Sequence, residues 1–248
     1  MYLLCWDFLV YCKVSYGHFV WRNLNIKKTW RPSYTGTAST HLTDRAQELR
    51  SALRLLDPEL VAARSGVSYL EVGPGRGELR IPLWEFTCIL SWPDLIGYSK
   101  PDEILSNFQQ ALLLYYLTTA DGAPQTGKWV SFADLPGGRM YNQAFQGYSG
   151  DELSKAIHLD LDVFKSACEL AGGKFIELGN ASYTFQALPR VSLMITYWLG
   201  DEDFPSSCKI LFDASATHYL PIDVCAILGS NLTQRILKHR LVPPSSKL

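Results

Sequence analysis

The chain has 248 residues and a mass of 27.9 kDa, with 47% hydrophobic and 19% charged residues. This balance is typical of a soluble globular protein and excludes a fibrous or disordered one, and a chain of this length can bury a core without disulfides or metals. The formal net charge is −1 and the isoelectric point is about 6.5. Nucleic-acid-binding proteins normally carry a basic surface, so this charge argues against nucleic acid as a partner.

The first 39 residues differ in composition from the rest of the chain. Residues 1–40 hold five basic residues, one acidic residue and nine of the 31 aromatic residues. No basic stretch precedes the first apolar run and Asp7 interrupts it, so the segment predicts neither a secretory signal nor a membrane span. Three interpretations remain: a stretch translated from a wrongly chosen start, a genuine aromatic extension, or a weak interfacial anchor. We expect residues 1–39 to be a nonstandard N-terminal extension outside the fold.

The cysteines give more information about the cellular compartment than about a metal site or a reaction. The sequence holds six of them, scattered without a C-x-x-C pair: Cys5, Cys12, Cys88, Cys168, Cys208 and Cys225. Neither a zinc ribbon nor an iron–sulfur binding motif has this spacing, so we predict no metal site. Buried, reduced thiols without an export signal favour a cytoplasmic location.

The first half of the chain predicts helices around a small group of strands. Apolar residues at helical spacing predict a helix over residues 43–56, with Thr43 as its N-cap, and a second short helix that ends at Gly66. Short runs rich in Val, Ile, Tyr, Phe and Trp, broken by glycines, predict antiparallel strands between residues 67 and 92. The run over residues 106–118 is apolar on almost all sides, which predicts a central buried helix.

The second half predicts two helices, a run of consecutive strands and a closing helix. A short strand is expected near residues 129–132, before the Leu135-Pro136-Gly137-Gly138-Arg139 turn. The helices are predicted at 151–157 and 161–171, the strands at 174–178, 182–187, 191–199 and 208–212, and the closing helix at 221–239. Consecutive strands flanked by helices, without strict βα alternation, predict an α+β domain with a mostly antiparallel sheet. We expect residues 40–242 to form this single domain and residues 243–248 to be a frayed tail.

One glycine-rich segment, YLEVGPGRGEL at residues 69–79, resembles the first motif of class I methyltransferases that use S-adenosylmethionine. In that motif a strand runs through a glycine-rich turn directly into a helix. Here Pro82 falls where the helix should be in its second turn, and residues 84–90 predict another strand. We therefore expect a glycine-rich hairpin that binds no S-adenosylmethionine, and methyl transfer remains as the alternative chemistry.

A broader resemblance rests on seven segments in a fixed order. They are LYYLTTADG at 114–122, KWVSF at 128–132, LPGGRMY at 135–141, LPRVSL at 188–193, GDEDFP at 200–205, LFDASA at 211–216 and YLP at 219–221. From about residue 43 to residue 241 the chain resembles a prokaryotic family known as domain of unknown function 3786. The resemblance implies no established activity. It implies relatives largely in anaerobic bacteria and archaea, some fused to a cysteine-rich iron–sulfur module of the kind seen in corrinoid proteins, which makes an iron–sulfur or corrinoid protein a possible partner.

The segments shared with this family place five charged residues at the ends of predicted elements: Arg139, Arg190, Asp201, Asp213 and His218. Two arginines can grip a carboxylate or phosphate bidentately, so these residues predict a ligand-binding site. In the structural alternative, Asp213 and Ser215 cap a turn and the arginines pair with acids such as Asp201. A nucleophilic triad of Asp213, Ser215 and His218 is disfavoured, since three residues within six positions rarely align in series.

These residues leave two functional hypotheses of different class. The first is a non-catalytic binding or accessory protein for an anionic cofactor or partner in anaerobic metabolism. The second is a small-molecule enzyme, for which no catalytic residue and no cofactor can be named. Both expect Arg139, Arg190, Asp213 and His218 to lie near one another at one end of the sheet.

Overall fold

A computed structural model describes residues 36–100, 103–157, 160–202 and 204–240. The first of its two sheets is antiparallel throughout, and its five strands follow one another in chain order. These strands are β1 (Ser68–Gly73), β2 (Arg76–Leu83), β3 (Phe86–Trp92), β4 (Gly97–Lys100) and β5 (Glu103–Ile104). Residues 1–35 and 241–248, which include most of the predicted extension and the whole predicted tail, lie outside the described residues.

Cross-strand pairing divides the side chains of this sheet between two faces. Leu79 of β2 lies opposite Leu90 of β3, and both are fully buried. On the other face Arg80 lies opposite Ile89, and Ile89 lies opposite Tyr98. None of these three residues is buried. The inner face therefore belongs to the core and the outer face is open.

The second sheet is also antiparallel, with the strand order β6-β10-β9-β8-β7. Its strands are β6 (Trp129–Ser131), β7 (Lys174–Ile176), β8 (Ala181–Leu188), β9 (Val191–Trp198) and β10 (Ser207–Asp213). The central strand β9 is buried at six of its eight positions. Burial of both faces explains why its sequence, VSLMITYW, is apolar almost without alternation.

The described chain also has seven α-helices. They are α1 (Gly36–Leu53), α2 (Pro58–Ser65), α3 (Asn107–Thr119), α4 (Asn142–Gly147), α5 (Gly150–Ile157), α6 (Leu161–Leu170) and α7 (Ile222–His239). Three short 3-10 helices lie at Phe132–Asp134, Arg139–Tyr141 and Ala216–His218. Helix starts follow local capping: Asp57 accepts hydrogen bonds from the first turn of α2, and Ser106 and Gln109 form a capping box at α3. No described helix is long and apolar enough to cross a membrane.

Helix α3 is buried along most of its length, including one polar residue. The Gln110 amide nitrogen donates to the Leu105 carbonyl, and its amide oxygen accepts from the Arg50 guanidinium of α1 at 2.7 Å. Arg50 also donates to the Leu95 carbonyl. A buried amide must be hydrogen-bonded to avoid a desolvation cost, and this network meets that requirement while joining α1, α3 and the β3–β4 turn.

The tip of the β2–β3 hairpin connects the two sheets. The backbone N–H of Trp84 donates to the Ala187 carbonyl of β8 at 2.8 Å. The Arg235 guanidinium of α7 lies 4.9 Å from the centre of the Trp84 ring and pairs with Glu85. Trp84 adopts a φ of 55°, an uncommon conformation for a bulky residue, so the surrounding contacts hold the turn in place.

The α+β class predicted from the sequence is confirmed, as are the buried helix and the closing helix, which the structure places at α3 and α7. The strands form two sheets rather than one. The first helix begins at Gly36, so Thr43 lies inside it and its prediction as an N-cap is wrong. Residues 36–39, assigned from the sequence to the extension, belong to that helix.

Candidate functional site

The ends of β9 and β10 fix the positions of three predicted site residues. Arg190 precedes the first residue of β9, and Asp213 is the last residue of β10. Because Phe212 pairs with Leu193 in the antiparallel register, Arg190 and Asp213 lie at the same end of the second sheet. His218 ends the 3-10 helix that follows Asp213 by a few residues.

Asp201 lies at the opposite end of the same sheet. It follows β9, which at eight residues spans about 25 Å. Its carboxylate accepts a hydrogen bond from the Phe204 N–H at 2.8 Å, and its own N–H donates to the Phe204 carbonyl. Asp201 therefore stabilises the β9–β10 connection and does not join Arg190 and Asp213.

Arg139 is exposed and begins a separate 3-10 helix. Its charge acts on Asp134, whose pKa is lowered mainly by the hydrogen bond from the Ser131 hydroxyl and further by Arg139. Within the described ranges, no hydrogen bond or ion pair joins Arg139 to Arg190, Asp213 or His218. In the described part of the chain, Arg139 therefore acts on Asp134 and makes no direct bond to the other residues of the predicted site.

Asp213 is 2% exposed, and its carboxylate accepts five hydrogen bonds. The donors are the N–H and hydroxyl of Thr126 at 3.0 Å each, the N–H of Gly127 at 2.7 Å, and the N–H and hydroxyl of Ser215 at 2.9 and 2.6 Å. Burial raises the pKa of this carboxyl, but the bonds from Ser215 and Thr126 outweigh burial and its pKa lies below the ordinary value. The carboxylate of Asp213 is thus ionised and fully hydrogen-bonded within the chain. Its bonds hold the segment of residues 120–128, here called the pinned loop.

Two further contacts hold the pinned loop. His218 Nδ1 lies 2.6 Å from Asp121 Oδ2, with both side chains about half exposed at 51% and 52%. The hydrogen bond with His218 lowers the pKa of Asp121, and the Ala123 N–H adds to this effect. Tyr219 donates its hydroxyl proton to the Ala123 carbonyl.

These contacts remove the nucleophilic triad from consideration. The Ser215 hydroxyl donates to Asp213 and the His218 ring bonds Asp121, so in the described chain the Ser215 hydroxyl has no hydrogen bond with the His218 ring. A serine nucleophile needs that bond to lose its proton. In the part of the chain that the structure describes, no group of three or more His, Cys, Asp or Glu residues could hold a metal ion.

The guanidinium of Arg190 forms no bond that holds the described fold together. Its backbone N–H donates to the Tyr116 hydroxyl at 3.1 Å, and Tyr116 donates in turn to the Ser65 carbonyl. Arg190 is half-buried, and its side chain packs against Gly66. A Cβ atom on Gly66 would lie 2.9 Å from Arg190 Nε. The described residues include no hydrogen-bond or ion-pair partner for this guanidinium.

Comparison with known protein families supports the resemblance found in the sequence. A family model described as "Domain of unknown function (DUF3786)" matches residues 57–235, which is more than half of the chain. The chain belongs to this family. No curated protein and no solved structure matches it. The match begins at Asp57, the N-cap of α2, and ends within α7, so in this member of DUF3786 it covers both sheets.

Around Arg190 the DUF3786 chain has residues that the sequence pattern did not single out. Arg64, at the end of α2, is exposed, and its Cα lies 3.7 Å from where a Cβ on Gly122 would be. Tyr116 and Tyr219 stand with ring centres 6.0 Å apart, and burial raises the pKa of both hydroxyls, which therefore remain neutral. Tyr116, Asp121 and Tyr219 lie within segments shared with the family, but nothing in the sequence shows that contacts between distant segments bring them near Arg190.

The glycine-rich segment of the DUF3786 chain forms a hairpin, as the sequence predicts. Its turn joins β1 to β2, two antiparallel strands, and no helix follows. Gly75 has a φ of 67°, and Gly77 lies against the Tyr69 ring, leaving no room for a side chain. The backbone conformation and the packing of the turn therefore explain why glycine occurs at these positions. The strand–turn–helix arrangement that an S-adenosylmethionine site requires is missing at this segment.

Proposed function

We propose that this protein is a non-catalytic binding or accessory protein that takes an anionic ligand at Arg190. The observation that carries the proposal is the partly buried residue Arg190, whose guanidinium has no ion-pair or hydrogen-bond partner among the described residues. Buried or half-buried charges are normally paired, because an unpaired one loses hydration without compensation. A carboxylate or phosphate would supply the missing partner in a bidentate geometry.

The neighbouring residues fit such a ligand. Arg64 lies close to the same region through Gly122, so added positive charge is close. Asp213 and His218 are committed to holding the pinned loop, which favours a rigid binding surface over an acid–base site.

An enzyme is the weaker hypothesis. Two cavities, of about 310 and 250 Å³, have no predicted site residue in their linings. The one motif for methyl transfer forms a hairpin turn, and no observation favours another reaction. We therefore name no catalytic residue and no cofactor.

The cellular setting of the proposal comes from the family resemblance and the thiols. Cys88, Cys168, Cys208 and Cys225 are free and buried, as expected in a reducing compartment. We accordingly propose that the protein acts in the cytoplasm of a prokaryote, as an accessory factor in anaerobic metabolism. A corrinoid or iron–sulfur protein is the partner that this setting suggests.

The test begins with the full chain purified natively without oxygen. Mass spectrometry and absorption spectroscopy should reveal a retained anionic ligand. Calorimetric titration with inorganic pyrophosphate and with citrate should show saturable binding, and Arg190→Gln should weaken it by about 1–3 kcal/mol, or roughly 5- to 150-fold. Arg139→Gln is the matched control, because it removes an exposed arginine elsewhere, and it should change affinity less than about twofold.

Three outcomes would contradict the proposal. One is the absence of both a retained ligand and saturable binding. Another is an equal loss of binding in the two variants, which would indicate non-specific attraction of anions. The third is a lower melting temperature in Arg190→Gln with unchanged binding, which would make Arg190 part of the scaffold alone.

A further inference from the structure

A cavity of about 310 Å³ lies beside the start of β10, past the end of β6. Strand β6 ends at Ser131, which is paired with Leu211, whereas β10 begins earlier, at Ser207. The start of β10 therefore has β9 on one side and no described strand on the other. The cavity, here called the β10 cavity, lies on that open side, and residues of helices α4 and α5 complete its lining.

Cys208, which lines the β10 cavity, is buried and has backbone groups without a partner. The Ala214 N–H donates to the Lys128 carbonyl just before β6, so alternate residues of β10 from Ala214 backwards direct their N–H and C=O groups to the β6 side. Cys208 is one of these residues, and it lies where β6 no longer continues. No hydrogen bond from the described chain reaches its carbonyl or its N–H on this side. Buried backbone groups are nearly always paired, so these two groups require an acceptor and a donor from outside the described chain.

A side-chain amide of α4 lies beside the Cys208 carbonyl. A Cβ on Gly150 would overlap the Cys208 carbonyl oxygen and would lie 3.0 Å from Gln146 Oε1, so the two oxygens are neighbours. Gln146 Nε2 donates to Asn142 Oδ1 at 3.5 Å, and no described donor reaches Gln146 Oε1. Two neighbouring acceptors without a donor are suited to a ligand that brings N–H groups.

Asp151 and Lys209 give the lining of the β10 cavity one charge of each sign. No ion pair joins them to each other or to another described residue. Lys209 Nζ lies 5.6 Å from the centre of the Trp198 ring, a contact that leaves its N–H donors free for a carboxylate. A simple anion or a simple cation would pair with one of the two residues and leave the other unpaired. A ligand that carries both an ammonium group and a carboxylate would pair with both.

We propose that the β10 cavity binds a short peptide with free ends. Its amide group pairs with the N–H and C=O of Cys208, as an added strand pairs with the edge of a sheet. Its ammonium group pairs with Asp151 and its carboxylate with Lys209. A sphere of the volume of this cavity is about 8 Å across, which accommodates about two extended residues of about 3.4 Å each. Arg190 does not line this cavity, so this inference does not depend on the anion site.

The experiment titrates the full chain with glycylglycine and follows binding by calorimetry and by the amide signals in nitrogen-15 NMR spectra. Binding should saturate with a dissociation constant between about 10 µM and about 1 mM, the range open to so small a ligand. The Cys208 amide signal should be among those that shift most. Acetylglycylglycine lacks the ammonium group, glycylglycinamide lacks the carboxylate, and glycine lacks the amide, so each should bind at least about tenfold more weakly.

Two variants assign the ends of the peptide. Asp151→Asn should weaken glycylglycine at least about tenfold but change the affinity for acetylglycylglycine less than about twofold, because that ligand has no ammonium group. Lys209→Gln should do the same for glycylglycine relative to glycylglycinamide. Asp162→Asn, in the first turn of α6, and Lys174→Gln, on β7, are the matched controls, since both residues are exposed and neither lines the cavity. Both controls should leave the affinity for glycylglycine within about twofold.

The outcomes that overturn this proposal are distinct from one another. Absence of saturable binding would mean that the cavity holds water only. Binding of glycylglycine that is unchanged in Asp151→Asn and Lys209→Gln would place the peptide elsewhere on the protein. Glycine that binds as tightly as glycylglycine would remove the pairing with Cys208. Because Asp151 and Lys209 are exposed, the melting temperatures of their variants should stay within about 2 °C of wild type, so a loss of binding is not a loss of folding.

Discussion

At the scale of single residues, Asp213 shows how a residue typical of a binding site can serve the fold. The sequence predicts that Asp213 lies at the end of a strand and, in the structural alternative, that it caps a turn with Ser215. The hydrogen bond from the Ser215 hydroxyl to the Asp213 carboxylate is such a local contact. What the sequence does not reveal is the second half of its environment. Thr126 and Gly127 lie more than 80 positions away, and only the β6–β10 pairing brings their N–H groups to this carboxylate.

We expect Asp213→Asn to lower the free energy of unfolding by about 2–4 kcal/mol at pH 7. The new amide cannot accept from every donor around the site, and one buried N–H would face another. Chemical denaturation measures this loss. Asp134→Asn is the control, because Asp134 also bonds a serine hydroxyl but is exposed, and it should cost less than about 1 kcal/mol.

The same carboxylate gives a pH dependence with a definite sign. Its folded-state pKa lies below the unfolded value, so its stabilisation is fully present above about pH 4 and is lost as the pH falls through the folded-state pKa. Wild type should therefore lose more stability than Asp213→Asn between about pH 5 and pH 2. Parallel pH profiles for the two proteins would show that Asp213 is not an ionised partner of the pinned loop.

Gly66 tests the contact that positions Arg190. With a φ of 70° and Arg190 Nε only 2.9 Å from a new Cβ, Gly66→Ala should cost about 1–2 kcal/mol. Combining it with Arg190→Ala should remove the steric part, so the double variant should lose less than the sum of the singles. Gly147→Ala is the matched control, since nothing lies within 4 Å of its Cβ position and its φ is not positive. An additive double variant would contradict the contact.

At the scale of elements, the ends of helices were more predictable than the partition of strands. Helix α3 was expected at residues 106–118 and begins at Asn107, because Ser106 and Gln109 form a capping box that the sequence displays. The strands were expected in one sheet, yet they form two. Each strand pattern fixes only a local conformation, whereas the sheet that a strand joins depends on register with distant partners. Strands β4 and β5 are too short to give a pattern at all.

The Trp84 turn should couple the two sheets energetically. We expect Trp84→Ala to reduce stability by about 2–4 kcal/mol, because it removes a half-buried ring under Arg235 while leaving a strained φ. Glu85→Ala removes only the exposed acid that pairs with Arg235 and should cost less than about 1 kcal/mol. Urea denaturation followed by near-ultraviolet circular dichroism measures both. Equal losses would assign the coupling to the ion pair instead of the ring.

At the scale of the whole molecule, the core can be tested through its thiols. Cys88, Cys168, Cys208 and Cys225 come from different parts of the fold, and all four are at most 4% exposed. Burial raises the pKa of Cys88 to about 11 and raises the pKa of the other three as well. Since the thiolate is the reactive form, these side chains should react only when the core opens.

We expect a Cys5→Ser, Cys12→Ser variant to show no rapidly reacting thiol with a disulfide reagent at pH 8, and four after denaturation. The two replaced cysteines lie outside the described residues, so their removal leaves the four buried thiols as the only reporters. Mass spectrometry of peptides resolves the labelling rates of the four cysteines. These rates should converge on one value, because all four side chains belong to one hydrophobic cluster. That value should fall when a ligand that binds the folded protein is added. Separate rates for Cys88, in β3 of the first sheet, and for Cys208, in β10 of the second sheet, and Cys168, in α6, would show instead that the two sheets open independently and that the Trp84 turn does not couple them.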